Sequence, residues 1–166
     1  MFEENIVFSK VETIQKISEY LLIYVGRVQK SFINEYLVAS DKDFHEPLST
    51  RVDLKTFAGK LHNLSTTFII VYNQEIAGII ASYFYDLPSR KGFITLVHVK
   101  HEFRGQHFSD LLVQAVQAYA QSIQFKFVDL VVYRDNTSAF KLYSKHGFKV
   151  LSEENGRCLM RWMSNQ

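Results

Sequence analysis

Apolar residues in the first part of the chain recur at steps of three and four, the spacing that places side chains on one face of an α-helix. This pattern predicts one long amphipathic helix built on Val11, Ile14, Ile17, Leu21, Leu22, Val25 and Val28. The apolar residues from Phe32 to Leu37 continue it or start a second helix after a bend near Gly26. Residues 39–50 are polar and predict a loop, and Asp53 is placed to cap a short helix over 53–62.

The middle of the chain has the composition of β-structure. Two runs rich in β-branched and aromatic residues, 67–72 and 77–85, are separated by the short polar sequence Asn-Gln-Glu-Ile. Such a pair of runs predicts a β-hairpin. A further turn leads into residues 93–99, which predict a third antiparallel strand.

The second half alternates helix and strand. Residues 108–123 form an amphipathic pattern, and the apolar run 127–133 predicts a strand buried on both faces and parallel to strand 93–99. Residues 137–145 predict a short helix that Gly147 ends, and 148–151 with 157–163 predict a closing pair of strands. The order predicts an α+β fold, a mixed and mostly antiparallel sheet with helices on both faces.

Length and composition favour one domain. The chain has 166 residues, 47% apolar and 14% aromatic, enough for a packed core. We divide it into N-terminal helices and a substrate-side loop (1–65), the core sheet with the cofactor site (66–151) and a closing strand (152–166). The net charge of +2, with scattered Lys and Arg, argues against nucleic acid as the main partner.

Cysteine content and hydropathy limit which cofactors and which cellular location are expected. A single cysteine, Cys158, excludes an internal disulfide and offers no cluster of metal ligands, so no metal is expected. The first residues lack the features of a signal peptide, and no run of about 18 apolar residues could cross a membrane. A cytoplasmic protein without membrane contact is therefore expected.

Two motifs in the second half carry candidate chemistry. The first is the basic turn Arg-Gly-Gln-His-Phe-Ser (104–109), where a strand stops and a helix starts. A helix N-terminus leaves backbone N–H groups free, which favours an anion such as a pyrophosphate. The second is Asn-Thr-Ser-Ala-Phe-Lys-Leu-Tyr-Ser-Lys-His-Gly-Phe (136–148).

Together these motifs resemble the Gcn5-related N-acetyltransferases, the GNAT family, whose cofactor loop reads Arg or Gln, x, x, Gly, x, Gly or Ala. Arg104 fills the first position, whereas His107 and Ser109 stand where the family has small residues. The second motif follows the family's order and spacing at Asn136, Ala139, Tyr143, Gly147 and Phe148. The matched motifs span about a third of the chain, and the strand pattern extends the likeness to Thr66.

The resemblance implies that acetyl-coenzyme A is the co-substrate. Its pantetheine arm would lie along the end of the strand before the loop, and its pyrophosphate would meet the amides that follow. In the first turn Asp110 favours the helix but would repel a nearby phosphate. The implied cofactor-binding residues are Val97, His98, Val99, Arg104, Gly105, Gln106, His107, Phe108, Ser109, Asp110, Asn136 and Tyr143.

The resemblance also implies transfer of an acetyl group to a primary amine by direct attack in a ternary complex. Tyr143 would be the general acid that protonates the departing thiolate. The general base is less defined: His98 is one candidate, because an imidazole with a pKa near 6.5 suits deprotonation at neutral pH. Other groups could hold a water that accepts the proton or reach in from the N-terminal loop; they are Tyr85, Asp86, Tyr133, His45 and Glu46.

The acceptor is expected among aromatic and acidic residues: Tyr36, His45, Glu46, Tyr83, Tyr85, Asp86 and residues 153–157. These suit a small amine of the amino sugar, amino acid or polyamine type. The alternatives are a protein or peptide N-acetyltransferase and a non-catalytic acyl-coenzyme A sensor or interaction module, the latter favoured by His107 and Ser109. The alternating strand 157–162 leaves one face for the core or a second subunit, so a homodimer is possible.

Overall fold

A computed structural model describes residues 1–165 of the chain. One eight-stranded sheet, in the order β1-β2-β3-β4-β5-β6-β8-β7, forms the centre of these residues. Its strands are β1 (Phe8–Lys16), β2 (Leu21–Val28), β3 (Ser65–Tyr72), β4 (Glu75–Asp86), β5 (Lys91–Val99), β6 (Phe127–Tyr133), β7 (Lys149–Glu154) and β8 (Arg157–Met163). The helices are α1 (Glu4–Val7), α2 (Lys30–Ser40), α3 (Leu54–Leu64), α4 (Phe108–Ser122) and α5 (Thr137–Lys145).

The pairing confirms the predicted α+β class. Strands β1 to β5 form an antiparallel meander, β5 and β6 are parallel, and β6, β8 and β7 are again antiparallel. Helices α2 and α3 pack on one face, while α4 and α5 pack on the other. The predicted hairpin, third strand, parallel strand and both later helices are therefore present, with bounds shifted by a few residues.

The predicted helix over residues 11–28 is wrong, because this segment is the antiparallel hairpin of β1 and β2. Val11, Ile14 and Ile17 happen to fall at helical spacing, but β-branched residues pack well on a pleated strand. Ile14 in the edge strand β1 and Ile17 in the turn after it are 49% and 39% exposed, so they mark no buried helix face. The segment 1–65 thus contains two strands as well as α1, α2 and α3.

Gly26 belongs to the close contact between these two strands and not to a helix bend. A Cβ atom at this position would lie 2.1 Å from the carbonyl oxygen of Lys10, so only glycine fits. The predicted loop 39–50 also has more structure than expected, because α2 extends to Ser40 and two short 3-10 turns follow, Asp41–Asp43 and Leu48–Thr50. The capped helix is confirmed: Asp53 accepts a hydrogen bond from the Thr56 amide.

The sheet separates two apolar cores. The core on the α4 and α5 side includes Ile23, Phe68, Ile80, Leu112, Val116 and Val128. The core on the α2 and α3 side includes Val28, Ile33, Leu37, Ala58, Leu61 and Ile69. Because successive side chains of a strand point to opposite faces, each strand normally supplies alternate residues to the two cores.

Strand β5 breaks this alternation once. Ala81 of β4 pairs with Leu96, whereas the next residue, Ser82, pairs with Ile94, so Thr95 is an extra residue on β5. This is a β-bulge, which reverses the face that each following residue occupies.

The reversal assigns the end of β5 to the two cores. Before the bulge Ile94 packs in the α4 core, and after it Val97 and Val99 do so. Leu96 and His98 instead face the α2 and α3 side. The bulge therefore determines which side chains of β5 meet each layer of helices.

Candidate active site

The two parallel strands at the centre of the sheet separate half-way along. β5 and β6 pair from Lys91 with Phe127 up to Ile94 with Leu130, and no pairing follows. The remaining residues, 95–99 and 131–133, line a cavity of about 550 Å³. Backbone N–H and C=O groups along this gap are free of strand partners, so an extended ligand with amide groups can bind there.

At one end of the cavity lies the turn before α4. Gly105 and His107 both have a left-handed backbone, with φ of +78° and +60°. The turn brings the first amides of α4, those of Phe108, Ser109 and Asp110, to the N-terminus of the helix, where no intrahelical carbonyl accepts from them. Gly105, His107, Phe108 and Ser109 line the cavity, which fits an anion site formed by backbone.

His107 has the backbone conformation that a glycine adopts most easily. Its side chain is 80% exposed, so the imidazole points to solvent. A histidine thus fills a position where the family has glycine without blocking the approach to the backbone. Left-handed φ is uncommon but tolerated for histidine.

The carboxylate of Asp110 is tied to α5. Its Oδ1 accepts from Lys145 Nζ at 2.8 Å and from His146 Nε2 at 2.7 Å, and its Oδ2 accepts from His107 Nδ1 at 3.2 Å. Burial raises the pKa of Asp110, but these hydrogen bonds outweigh it and lower the pKa to about 2. The expected repulsion of a phosphate is therefore reduced, because the charge of Asp110 is paired with Lys145 and its oxygens are engaged in hydrogen bonds.

Two further predicted loop residues differ in placement. Arg104 lines the cavity, and its Nε donates to the Val99 carbonyl at 3.1 Å. Its guanidinium is thereby fixed at the edge of the gap. Gln106 is exposed on the same turn and does not line the cavity.

Helix α5 contributes Asn136 and Tyr143. Asn136 caps the helix by accepting from the Ala139 amide at 3.4 Å, and Tyr143 lies packed against Phe148. Both Asn136 and Tyr143 line the cavity. Burial raises the pKa of Tyr143 far above its ordinary value, and its hydroxyl has no hydrogen-bond partner among residues 1–165. This tyrosine therefore keeps its proton at neutral pH and is free to donate it.

His98 lies on the opposite side of β5 from Val97 and Val99. Its side chain is 3% exposed, with Nδ1 2.8 Å from the Tyr36 hydroxyl and Nε2 3.1 Å from Asp43 Oδ2. Burial lowers the pKa of His98, and the hydrogen bond with Asp43 offsets this only in part. The imidazole is therefore neutral at pH 7, and both of its nitrogens are engaged within the protein.

The loop of residues 41–51 covers one side of the gap. His45 Nε2 contacts Asp135 Oδ1 at 2.9 Å, and the Tyr133 hydroxyl donates to Glu46. This hydrogen bond raises the pKa of Tyr133 and lowers that of Glu46. Two contacts thus fix a loop from the N-terminal half to the end of β6.

Among the groups considered for the base, His45, Glu46 and Tyr133 line the cavity, while Tyr85 and Asp86 do not. Tyr83 and residues 153–157 also lie outside the cavity lining. Asp43 lines it and was missed by sequence reasoning. Nothing in its spacing could have indicated this, because it lies in a polar loop 55 residues before the histidine that it contacts.

Three further expectations concern metal binding, membrane-spanning helices and the single cysteine. Within residues 1–165 no group of three or more His, Cys, Asp or Glu side chains is arranged to hold a metal ion. In the same residues no helix has the length and hydropathy needed to span a membrane. Cys158 is buried in the core, and burial raises the pKa of its thiol.

Comparison with known proteins supports the same family. The sequence model described as Acetyltransferase (GNAT) family matches residues 30–148, which is more than two thirds of the chain. The chain therefore belongs to the GNAT acetyltransferase family. A search of curated proteins finds no significant match.

Solved structures share the fold at low identity. The ribosomal-protein-S18-alanine N-acetyltransferase from Escherichia coli is 14% identical with a TM-score of 0.71, over 87% of this chain and 95% of that one. PaiA N-acetyltransferase from Thermoplasma acidophilum, solved with coenzyme A, is 14% identical with a TM-score of 0.67, over 85% and 98%.

Dodecameric spermidine N-acetyltransferase from Vibrio cholerae is 15% identical with a TM-score of 0.66, over 86% of this chain and 94% of that one. At these identities the likeness shows the fold and leaves the acceptor open. The GNAT fold uses acetyl-coenzyme A, in keeping with the coenzyme A complex among these structures.

Proposed function

We propose that this chain is an acetyl-coenzyme A-dependent N-acetyltransferase whose acceptor is the primary amine of a small molecule. The observation that carries the proposal is the gap between β5 and β6. It joins a helix N-terminus, unpaired strand backbone and the buried Tyr143 hydroxyl in one cavity. An extended amide chain with a pyrophosphate at one end and a thioester at the other matches these three features.

The proposed cofactor contacts follow from this geometry. The free backbone of Val97, His98 and Val99 would bind the pantetheine arm, and the amides from Gly105 to Asp110 would bind the pyrophosphate. The Arg104 guanidinium at the edge of the gap adds positive charge. Asn136 would contribute a side-chain contact in addition to its capping role.

Bound acetyl-coenzyme A supplies a thioester that an amine can attack and a thiolate that needs a proton on departure. Tyr143 holds a proton at its hydroxyl, because burial disfavours the charged phenolate. With no protein acceptor for that proton, the hydroxyl is available to a group in the cavity. We therefore assign Tyr143 as the general acid.

His98 stays a prediction as the general base. Acting as a base would require Nδ1 to exchange its contact with Tyr36 for one with the amine, or Nε2 to release Asp43. A water in the open part of the cavity is the alternative acceptor for the amine proton. The choice does not affect the assignment of Tyr143.

The loop 41–51 supports a small-molecule acceptor. Its contacts with Tyr133 and Asp135 cover one side of the cavity, as expected for a pocket, whereas an extended peptide needs an open groove. Spermidine N-acetyltransferase and ribosomal-protein N-acetyltransferase both share this fold, so fold alone does not distinguish the two acceptor classes.

Thermal unfolding with acetyl-coenzyme A, free coenzyme A and ATP tests the cofactor. A ligand at about 100 times its Kd adds roughly 2.7 kcal/mol, which is several degrees in Tm for a domain of this size. Both coenzyme A forms should raise Tm and ATP should not. Thiol release with a panel of small amines and a panel of peptides then tests transfer. An unchanged Tm, or binding without turnover of any amine, would contradict the enzyme proposal.

A further inference from the structure

Two carboxylates line the cavity, and their surroundings differ. Glu46 accepts from the Tyr133 hydroxyl and lies 3.8 Å from Arg51 Nε, so its charge is already paired. Asp43 has a single partner, His98, which contacts Oδ2. Its Oδ1 has no partner among residues 1–165, and the side chain is 42% exposed. Among residues 1–165, Asp43 is therefore the cavity carboxylate with a free oxygen and without an ion pair to Lys or Arg.

The hydrogen bonds of His98 define its tautomer. An ionised carboxylate accepts but cannot donate, so Nε2 must carry the hydrogen that Asp43 accepts. The neutral imidazole then has an unprotonated Nδ1, which accepts from the Tyr36 hydroxyl. The imidazole that contacts Asp43 is thus a neutral hydrogen-bond donor.

The supporting pair is fixed by packing. Tyr36 is a buried residue of α2, and its ring lies edge-on to His98 with centroids 5.5 Å apart. The ring of Phe44 also packs against the imidazole, with ring centroids 5.2 Å apart. A buried chain in which every polar atom has a partner is rigid. It holds the Asp43 carboxylate at the cavity wall in one orientation.

We propose that Asp43 is the anchor for a positively charged amine group of the acceptor other than the amine that attacks the thioester, with His98 and Tyr36 as positioning residues. This inference rests on the proposed acetyltransferase function and adds the class of acceptor, a small cationic amine that enters on the side of loop 41–51. A partly buried carboxylate attracts an ammonium more strongly than an exposed one does, because solvent screens it less.

The first test measures binding without turnover. With ¹⁵N-histidine-labelled protein and saturating free coenzyme A, 1,4-diaminobutane is titrated while the His98 ring nitrogens are followed by NMR. Wild-type protein should show the Nε2–H tautomer and a saturable shift. Asp43→Asn should weaken binding by about tenfold or more, the usual effect of losing a charge-assisted contact. A wild-type spectrum without any shift, or equal affinity in Asp43→Asn, would overturn the proposal.

The matched control is Asp41→Asn. Asp41 belongs to the same turn, but its carboxylate accepts from the amide and hydroxyl of Ser49 and lies outside the cavity lining. If Asp43 acts by anchoring the amine, Asp41→Asn binds 1,4-diaminobutane nearly as well as wild type. If Asp41→Asn weakens binding as much as Asp43→Asn does, the effect comes from loosening the loop and the proposal fails.

The second variant, Tyr36→Phe, tests the positioning role. Removal of the hydroxyl leaves Nδ1 without its donor, while Nε2–H still donates to Asp43. The Nε2–H tautomer should therefore remain, the Nδ1 resonance should move because its hydrogen bond is lost, and the less constrained imidazole should weaken amine binding. An amine affinity equal to that of wild type would overturn this role. In turnover, Asp43→Asn should raise KM for cationic amines far more than it lowers kcat, with KM for acetyl-coenzyme A retained.

The two proposals fail in different ways. A missing Tm response to both coenzyme A forms would contradict the acetyltransferase function, while the NMR titration without cofactor would still decide whether Asp43 binds a cation. A normal cofactor response with no effect of Asp43→Asn on any cationic amine would contradict only the anchor.

Discussion

The two ends of the cavity are built differently. At the α4 end, backbone amides and left-handed residues face the cavity, while the side chain of His107 is turned to solvent and that of Asp110 contacts α5. At the end covered by loop 41–51, the side chains of Asp43 and His98 line the cavity, and Tyr36 is hydrogen-bonded to His98. A backbone site tolerates changes of residue type as long as the turn keeps its shape, whereas a side-chain site does not.

The largest effect is expected from a change at Tyr143, which lines the cavity. Tyr143→Phe removes the proposed proton donor and little else, because the hydroxyl has no partner among residues 1–165. We expect kcat to fall by about 10² to 10³, within the range for general-acid catalysis, while coenzyme A affinity stays near wild type. Steady-state thiol release and calorimetric titration measure the two. Tyr133→Phe, which removes a hydroxyl already bonded to Glu46, is the control and should cost much less. Wild-type turnover in Tyr143→Phe would refute the assignment.

The second-largest effect is expected from a change of backbone conformation at the α4 end of the cavity. Gly105→Val places a β-branched residue at φ +78°, a strain of roughly 1–2 kcal/mol that the turn relieves by moving its amides. Coenzyme A affinity should fall by about tenfold. Gly156→Val has nearly the same φ, +73°, but lies in the β7–β8 turn away from the cavity. It should lower stability without changing the Kd; equal losses of affinity in both variants would argue against a backbone site.

The hydrogen bonds from Asp110 of α4 to Lys145 and His146 should contribute to the free energy of unfolding. Asp110→Asn weakens hydrogen bonds with Lys145, His107 and His146, which predicts a loss of roughly 1–3 kcal/mol at pH 7. The folded-state pKa of about 2 lies below the unfolded value of 3.8, so this stability is present above pH 3.8 and is lost as pH falls toward 2.

Urea unfolding of both proteins from pH 7 to pH 3 measures this difference. The gap between wild type and Asp110→Asn should shrink as the solution becomes acidic. Glu153→Gln, which removes an exposed contact with Arg134, should have little effect at any pH. A gap that stays constant down to pH 3 would show that Asp110 acts through packing and not through its charge.

The smallest expected effect is at His107. His107→Gly keeps the left-handed backbone and removes a side chain that is already turned to solvent. Coenzyme A affinity should stay within about threefold of wild type, because the contacts proposed here come from backbone amides. Calorimetric titration decides this. A loss of tenfold would mean that the imidazole itself binds the cofactor and that the α4 end is in part a side-chain site.

The difference between the backbone end and the side-chain end of the cavity also explains which parts of the site can be predicted from the sequence. The turn, the helix after it and the Asn136 to Tyr143 spacing are local patterns, so they could be recognised without the structure. The pairing of Asp43 with His98 depends on a long-range contact, and no local pattern reports it. Tyr36 was expected only as one of several acceptor-side aromatics.

The sequence predicts a helix in place of the N-terminal hairpin for a physical reason. Val11, Ile14 and Ile17 fall at helical spacing, but they are β-branched, and an edge strand can leave a residue such as Ile14 exposed. The close approach of β1 to Gly26 depends on the partner strand, so the glycine alone suggested a bend.

The bulge at Thr95 adds one residue to β5 relative to β4 and so reverses the alternation of faces in the rest of the strand. Every residue after it faces the opposite layer from the one that plain alternation would give, and this places Val97 with α4 and His98 with Tyr36. A substitution at Thr95 that keeps the backbone leaves that assignment intact. Deletion of this single residue would exchange the two faces of the strand end. The length of β5 is therefore a stricter constraint on the site than the side chain at this position.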